Sequence, residues 1–151
     1  MPQLPSPCKI CDRLNRKCSN VFVDVFRDRQ PYSVDSTQVV DMVAEGKLTG
    51  VCPAHGLTTL YYLIRKHGSK REAEDAMDRV LDHFQIGNLD AEGWREARLL
   101  SLDDFEDAVV ATVAKASGSA LIVTRNIEDF AGSLIPAISP ADSLGQFPAK
   151  P

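Results

Sequence analysis

A three-layer α/β/α sandwich on a parallel central sheet is the fold this sequence predicts, and three observations predict it. Short apolar runs rich in β-branched residues, at 48–53 and 120–124, alternate with longer stretches whose apolar residues recur at helical spacing. That pattern belongs to strands covered on both faces by crossover helices. The chain's 151 residues fit one domain, large enough to bury a core without disulfides. Its apolar content of 44% and charged content of 25% are those of an ordinary globular protein.

The elements follow in order. Residues 1–18 are rich in Pro, Arg, Lys and Cys, show neither strand alternation nor a helical stripe, and are expected to be irregular. From Ser19 to Phe26 the chain becomes apolar and forms one short element, broken by charge and Pro31. Val39, Val40 and Val43 share a stripe that predicts a helix over 36–45, with Gly46 as its stop. The run 48–53, closed by Pro53, reads as a strand. Leu57, Leu60, Tyr61 and Ile64 predict a helix over 57–66, with a basic last turn before Gly68. Ser69 and Glu72 have the spacing of a capping box, in which hydroxyl and carboxylate each satisfy an orphan amide, and open a second long helix. Residues 84–89 read as a short strand, 90–100 as a helix and 101–104 as a polar helix start. The small apolar run 108–116 predicts a buried helix that Gly118 ends. Strands follow at 120–124 and at 134–138, where Pro136 favours an edge. This gives an irregular segment at 1–18, a domain at 19–144 and a tail at 145–151.

A formal charge of -4 argues against a protein that coats nucleic acid by bulk electrostatics, which needs clustered Lys and Arg. It leaves a nuclease open, because carboxylates gathered around a divalent cation count as negative until the metal reverses the local sign. The apolar runs are too short to span a bilayer and residues 1–7 carry no secretory pattern. The expected location is the cytoplasm, with reduced thiols and no membrane partner.

The chemistry concentrates in two segments. Asp104 and Asp107 stand three apart and share a face if helical. Asn126 and Asp129 follow a strand directly, at the edge where open α/β sheets bind ligands. The plainer reading of the first pair is helix-terminal charge complementing the macrodipole. Cys8, Cys11 and Cys18 with Cys52 and His55 have spacings that could hold zinc. The plainer reading makes Cys52 a buried strand residue, His55 a helix cap and the other thiols incidental. Arg65, Lys66, His67, Lys70 and Arg71 read as a solvated helix junction, Trp94, Tyr61 and Tyr62 as core or partner-facing, and Asp24 as a solvent-facing or substrate-channel acid.

The segments Asp104-Phe-Glu-Asp107-Ala-Val-Val-Ala and Val123-Thr-Arg-Asn126-Ile-Glu-Asp129-Phe130, with Ser19-Asn20-Val-Phe-Val-Asp24 and Leu60-Tyr-Tyr-Leu-Ile-Arg-Lys66, carry a resemblance. Over residues 19–144 the chain resembles the PIN domain, a small metal-dependent ribonuclease fold found in the toxin half of bacterial toxin–antitoxin pairs. The resemblance implies an acidic pocket that binds Mg²⁺ or Mn²⁺ and hydrolyses RNA, with an antitoxin protein as partner and a homodimer as the oligomer. It makes Asp107 and Asp129 ligands and catalytic acids, adds Asp104 directly or through water, and gives Asn126 a position where the family often has Asp. The departures are specific. The family's first acid aligns with Cys18, and its helix acid with Thr59. The upstream strand looks degenerate, because Arg13, Arg16 and Lys17 would be buried unpaired in it. One explanation is a frame error before Ser19; an intact frame on resequencing would sink it. The alternative function is a catalytically impaired PIN-like domain that binds RNA or a protein.

Overall fold

The computed structural model describes residues 8–12 and 21–147. Five parallel strands, β1 (Cys8–Asp12), β2 (Leu48–Pro53), β3 (Gln85–Gly87), β4 (Leu121–Val123) and β5 (Ala137–Ile138), form one sheet in the order β3-β2-β1-β4-β5. Among the described residues seven helices connect or flank them: α1 (Val21–Phe26), α2 (Tyr32–Ala44), α3 (Ala54–His67), α4 (Lys70–His83), α5 (Ala91–Leu99), α6 (Phe105–Ala116) and α7 (Pro140–Gln146). A 3-10 turn, Ile127–Phe130, follows β4. The predicted three-layer α/β/α arrangement is the observed one.

Alternation along the strands divides the core in two. Leu48, Cys52, Val123 and Ile138 pack with Phe22, Val39, Val43, Leu60, Ile64 and Val80 from α1 to α4. Val51 and Ile122 pack on the other side with Ala97 of α5 and the buried run Ala108 to Ala114 of α6. Because successive strand side chains point to opposite faces, both layers are filled from the same short runs.

Local signals set most boundaries. The capping box forms as expected: the Glu72 amide donates to the Ser69 hydroxyl at 3.1 Å, and the Ser69 amide to the Glu72 carboxylate at 2.6 Å. Asp90 caps α5 by accepting from the Gly93 amide at 2.8 Å. Gly46 and Gly118 stand just past α2 and α6 with φ of +74° and +69°, the left-handed region that glycine enters without steric cost. Helix α7, which the sequence reading left inside the domain's end and its tail, is opened by Ser139, whose hydroxyl accepts from the Asp142 amide at 3.0 Å, with Pro140 in the first turn.

The segment before Ser19 is where the structure departs from expectation. Residues 1–18 were expected to be irregular, yet Cys8–Asp12 forms the central strand, pairing with β2 from Cys8↔Leu48 to Cys11↔Val51 and with β4 from Ile10↔Leu121 to Asp12↔Val123. The physical reason is where the strand stops. It ends at Asp12, before Arg13, Arg16 and Lys17 in sequence. Cys18, Ser19, Asn20 and the tail residues 148–151 lie outside the described residues.

Close packing leaves no room for a side chain at Gly50. A Cβ at Gly50 in β2 would stand 2.4 Å from the Phe84 ring and 2.9 Å from a Val43 methyl. Gly50→Ala is expected to lower stability by ~1–3 kcal/mol, the cost of overpacking a filled core, read as the shift in the urea midpoint.

Candidate active site

Strand order reverses between β1 and β4: the chain moves outward through β2 and β3, then returns to the other side of β1. In open α/β sheets the crevice beyond the carboxyl ends of the strands at such a reversal is the place for a ligand. The loop entering α6 and the turn after β4 meet there. They line a cavity of about 360 Å³ with Asp103, Asp104, Asp107, Glu128 and Asp129. No Lys or Arg is among its described lining.

The sequence-predicted residues divide between two places. Asp104, Asp107 and Asp129 share this cavity; Asn126 does not. Asp107 sits in the first turn of α6 and is 1% exposed, held there because the neighbouring apolar run buries that helix on every side. Asp104 is outside the helix rather than on a shared face with Asp107. As N-cap its Oδ1 accepts from the Glu106 amide at 2.8 Å and the Asp107 amide at 3.4 Å. Asp129 lies in the 3-10 turn, its amide donating to the Asn126 carbonyl at 3.2 Å. Among the described residues no three His, Cys, Asp or Glu side chains converge into a ready-made metal cluster. The donor chemistry still fits a hard divalent cation: five carboxylates line the cavity beside the Ser101 hydroxyl, and like charges sharing one cavity are relieved by a metal.

Asn126 instead lines a second cavity, of about 370 Å³, with Tyr32, Asp35, Arg125 and Ser139. Its amide donates to the hydroxyl of buried Thr124 at 3.1 Å. Thr59, aligned with the family's helix acid, lines a third cavity with Thr58, Tyr62, Leu63 and Lys66, apart from the acidic one.

Three other expectations are settled by burial. Asp24 is fully buried, not solvent-facing: both its carboxylate oxygens meet Arg125, Oδ2 at 2.8 Å from Nε and Oδ1 at 3.1 Å from Nη2. Burial pushes the Asp24 carboxyl above its usual range, with the Arg125 guanidinium pulling against that. Cys52 is a buried strand residue, as its plainer reading held. His55 does not cap α3, since Pro53 holds the N-cap position; it stands in the first turn, with its ring edge-on to Trp94 at an interplanar angle of 70° and Nε2 3.9 Å from Glu106.

Burial lowers the His55 pKa below 6.5. The unfolded chain therefore takes up a proton at a higher pH than the folded one, and stability falls as pH drops below 6.5, the loss being complete below the folded value. His55→Gln is expected to flatten this part of the stability profile, measured as urea midpoints at pH 7.5 and pH 5.5.

Sequence reasoning missed Asp103, Glu128 and the Asp24–Arg125 pair. The two acids flank predicted ones and adjacency could have found them; the ion pair joins residues with no local relation in the chain.

A parallel sheet whose strand order reverses beside a carboxylate-lined cavity defines an α/β domain with its site at the carboxyl edge of the strands. The chain belongs to the PIN domain family, whose model matches residues 19–128. A ribonuclease VapC1 from Aquifex aeolicus is 26% identical over 113 residues, covering 71% of this chain and 77% of the relative. Among solved structures, VapBC2 of Rickettsia felis, bound to a DNA fragment from its promoter, matches with a TM-score of 0.65 at 16% identity, over 87% of this chain and 98% of that one. VapC20 of Mycobacterium tuberculosis, a toxin that cleaves the sarcin–ricin loop, matches with a TM-score of 0.57 at 14% identity, over 76% and 86% of the two chains. Among the described residues no helix is long and apolar enough to cross a membrane.

Proposed function

We propose that this chain is a metal-dependent ribonuclease of toxin type, with an antitoxin protein as its partner. The observation that carries the reading is the meeting of Asp104, Asp107 and Asp129 in one cavity at the strand-order reversal of a PIN domain. The relatives' names, a VapC ribonuclease and VapBC complexes, supply the substrate class and the partner class.

Asp107 and Asp129 would hold Mg²⁺ or Mn²⁺, with Asp104 contributing the oxygen its capping role leaves over. A bound cation of this kind lowers the pKa of a water, orients it toward the phosphorus and steadies charge on the leaving oxygen. The chain's own contribution is position. The first turn of α6 holds the buried Asp107, the cap fixes Asp104 just before it, and the 3-10 turn presents Asp129 to the same cavity. Asn126, in the neighbouring cavity, is left out of this ligand set. At the end of the central strand the register pairs Asp12 with Val123.

The second reading is a domain that binds RNA or a protein without cutting, favoured by Asp104 serving as a cap and by the absence of a closed cluster among the described residues. Purified protein incubated with RNA and Mn²⁺, with EDTA as control, separates them. Cutting that EDTA stops supports the nuclease; binding without cutting by a folded sample supports the second reading.

A further inference from the structure

We infer that Arg125 is a positioning residue: clamped by the buried Asp24 and stacked on Tyr32, it fixes the turn that delivers Asp129 to the acidic cavity. The inference rests on the nuclease reading for its consequence but not for its geometry. Arg125 follows Thr124 at the end of β4 and immediately precedes the turn that runs from Asn126 to Phe130. Its guanidinium meets Asp24 with two nitrogens, at 2.8 and 3.1 Å, and its Cζ lies 3.8 Å from the centre of the Tyr32 ring. One fork thus ties the turn to α1 through a carboxylate with no solvent exposure and to the start of α2 through an aromatic face.

The far end of the turn is anchored in the core by Phe130, 3% exposed, and Arg125 holds its near end. The turn is four residues of 3-10 helix, whose i to i+3 bonds are poorer than α-helical ones, and its exposed side includes Ile127, Glu128 and Asp129. A planar guanidinium that hydrogen-bonds one carboxylate oxygen through Nη2 and ion-pairs the other through Nε fixes direction as well as distance, which a lysine cannot do. If the guanidinium is lost, the near end of the turn loses this tie, and Asp129 can shift relative to Asp107, which α6 anchors independently.

The test is Arg125→Lys in the full chain, read in two ways. Native-state hydrogen exchange follows the amides of Asn126, Asp129, Ala131 and Ser133, all hydrogen-bonded within this turn, against those of α4. Mn²⁺ titration by calorimetry follows the acidic cavity. The expected result is exchange at the turn accelerated roughly tenfold or more with α4 unchanged, and a Mn²⁺ Kd raised about 10-fold, the usual scale for losing a group that orients metal ligands. Unchanged exchange at the turn overturns the inference, as does a loosened turn with unchanged Mn²⁺ affinity. If the wild-type chain takes up no Mn²⁺, the nuclease reading fails and the exchange data alone decide whether the clamp orders the turn. Should Arg125→Lys not fold, Tyr32→Ala, which leaves the ion pair in place, is expected to accelerate exchange at the same four amides, and no acceleration there overturns the inference.

Discussion

Asp107→Asn is expected to cut Mn²⁺-dependent RNA cleavage roughly 10³-fold, about 4 kcal/mol of transition-state stabilisation, while leaving the melting temperature within a few degrees of wild type. The size follows from the site. Asp107 is 1% exposed, so an amide in its place keeps the shape but removes the charge that a cation would meet at the closed end of the cavity. Asp104 needs a different substitution, because it holds two amides at the start of α6. Ala would remove the cap as well as the charge and cost ~0.5–2 kcal/mol of stability, whereas Asn caps helices about as well as Asp. Asp104→Asn therefore isolates the electrostatic part. A fall in cleavage without a fall in melting temperature places Asp104 in the chemistry; unchanged cleavage leaves it a cap alone. Steady-state cleavage of a labelled RNA beside thermal unfolding by circular dichroism measures both, and full activity in Asp107→Asn would refute the proposed site.

Phe22→Ala is expected to be the most damaging single truncation of the core. Phe22 is fully buried, meets Phe84 edge-on with ring centroids 4.8 Å apart and stacks on Phe26 at 6.3 Å. Truncating a buried Phe costs ~3–5 kcal/mol, against a typical total stability of ~5–15 kcal/mol. For a chain of this length that is a fall in melting temperature of roughly 10 °C. Phe26→Ala supplies the contrast, since Phe26 is only partly buried at the rim and stacks with Arg79 5.3 Å above its ring. Its truncation should cost less than half as much.

The features legible in the sequence were those whose causes are local. The capping box at Ser69 and Glu72 and the buried stripe of α6 each depend on residues within one or two turns, so spacing alone exposes them. Asp104 was legible as an acid near the site, but its geometry was not. Whether it lies in the helix or caps it turns on one residue's φ and ψ, which the sequence does not print. Asn126 and Asp129 were placed together because they adjoin, whereas a 3-10 turn between them sends one to each of two cavities. Asp24 was misread for the opposite reason: only Arg125, far along the chain, makes its burial tolerable. The central strand was hidden most completely. Cys8–Asp12 is too short and too mixed to announce itself, and it is a strand because β2 and β4 offer a ladder on each side.

That strand's position has a consequence during synthesis. β1 precedes every element it pairs with, gains β2 as its first neighbour, and must wait for β4 before its other edge is covered. Until Leu121 has left the ribosome, a nascent chain carries β1 with a row of unsatisfied amides and carbonyls, a template for pairing with other chains. A chain cut short between α5 and β4 would keep that edge open permanently, so premature termination in this stretch should yield insoluble fragments rather than a soluble half-domain.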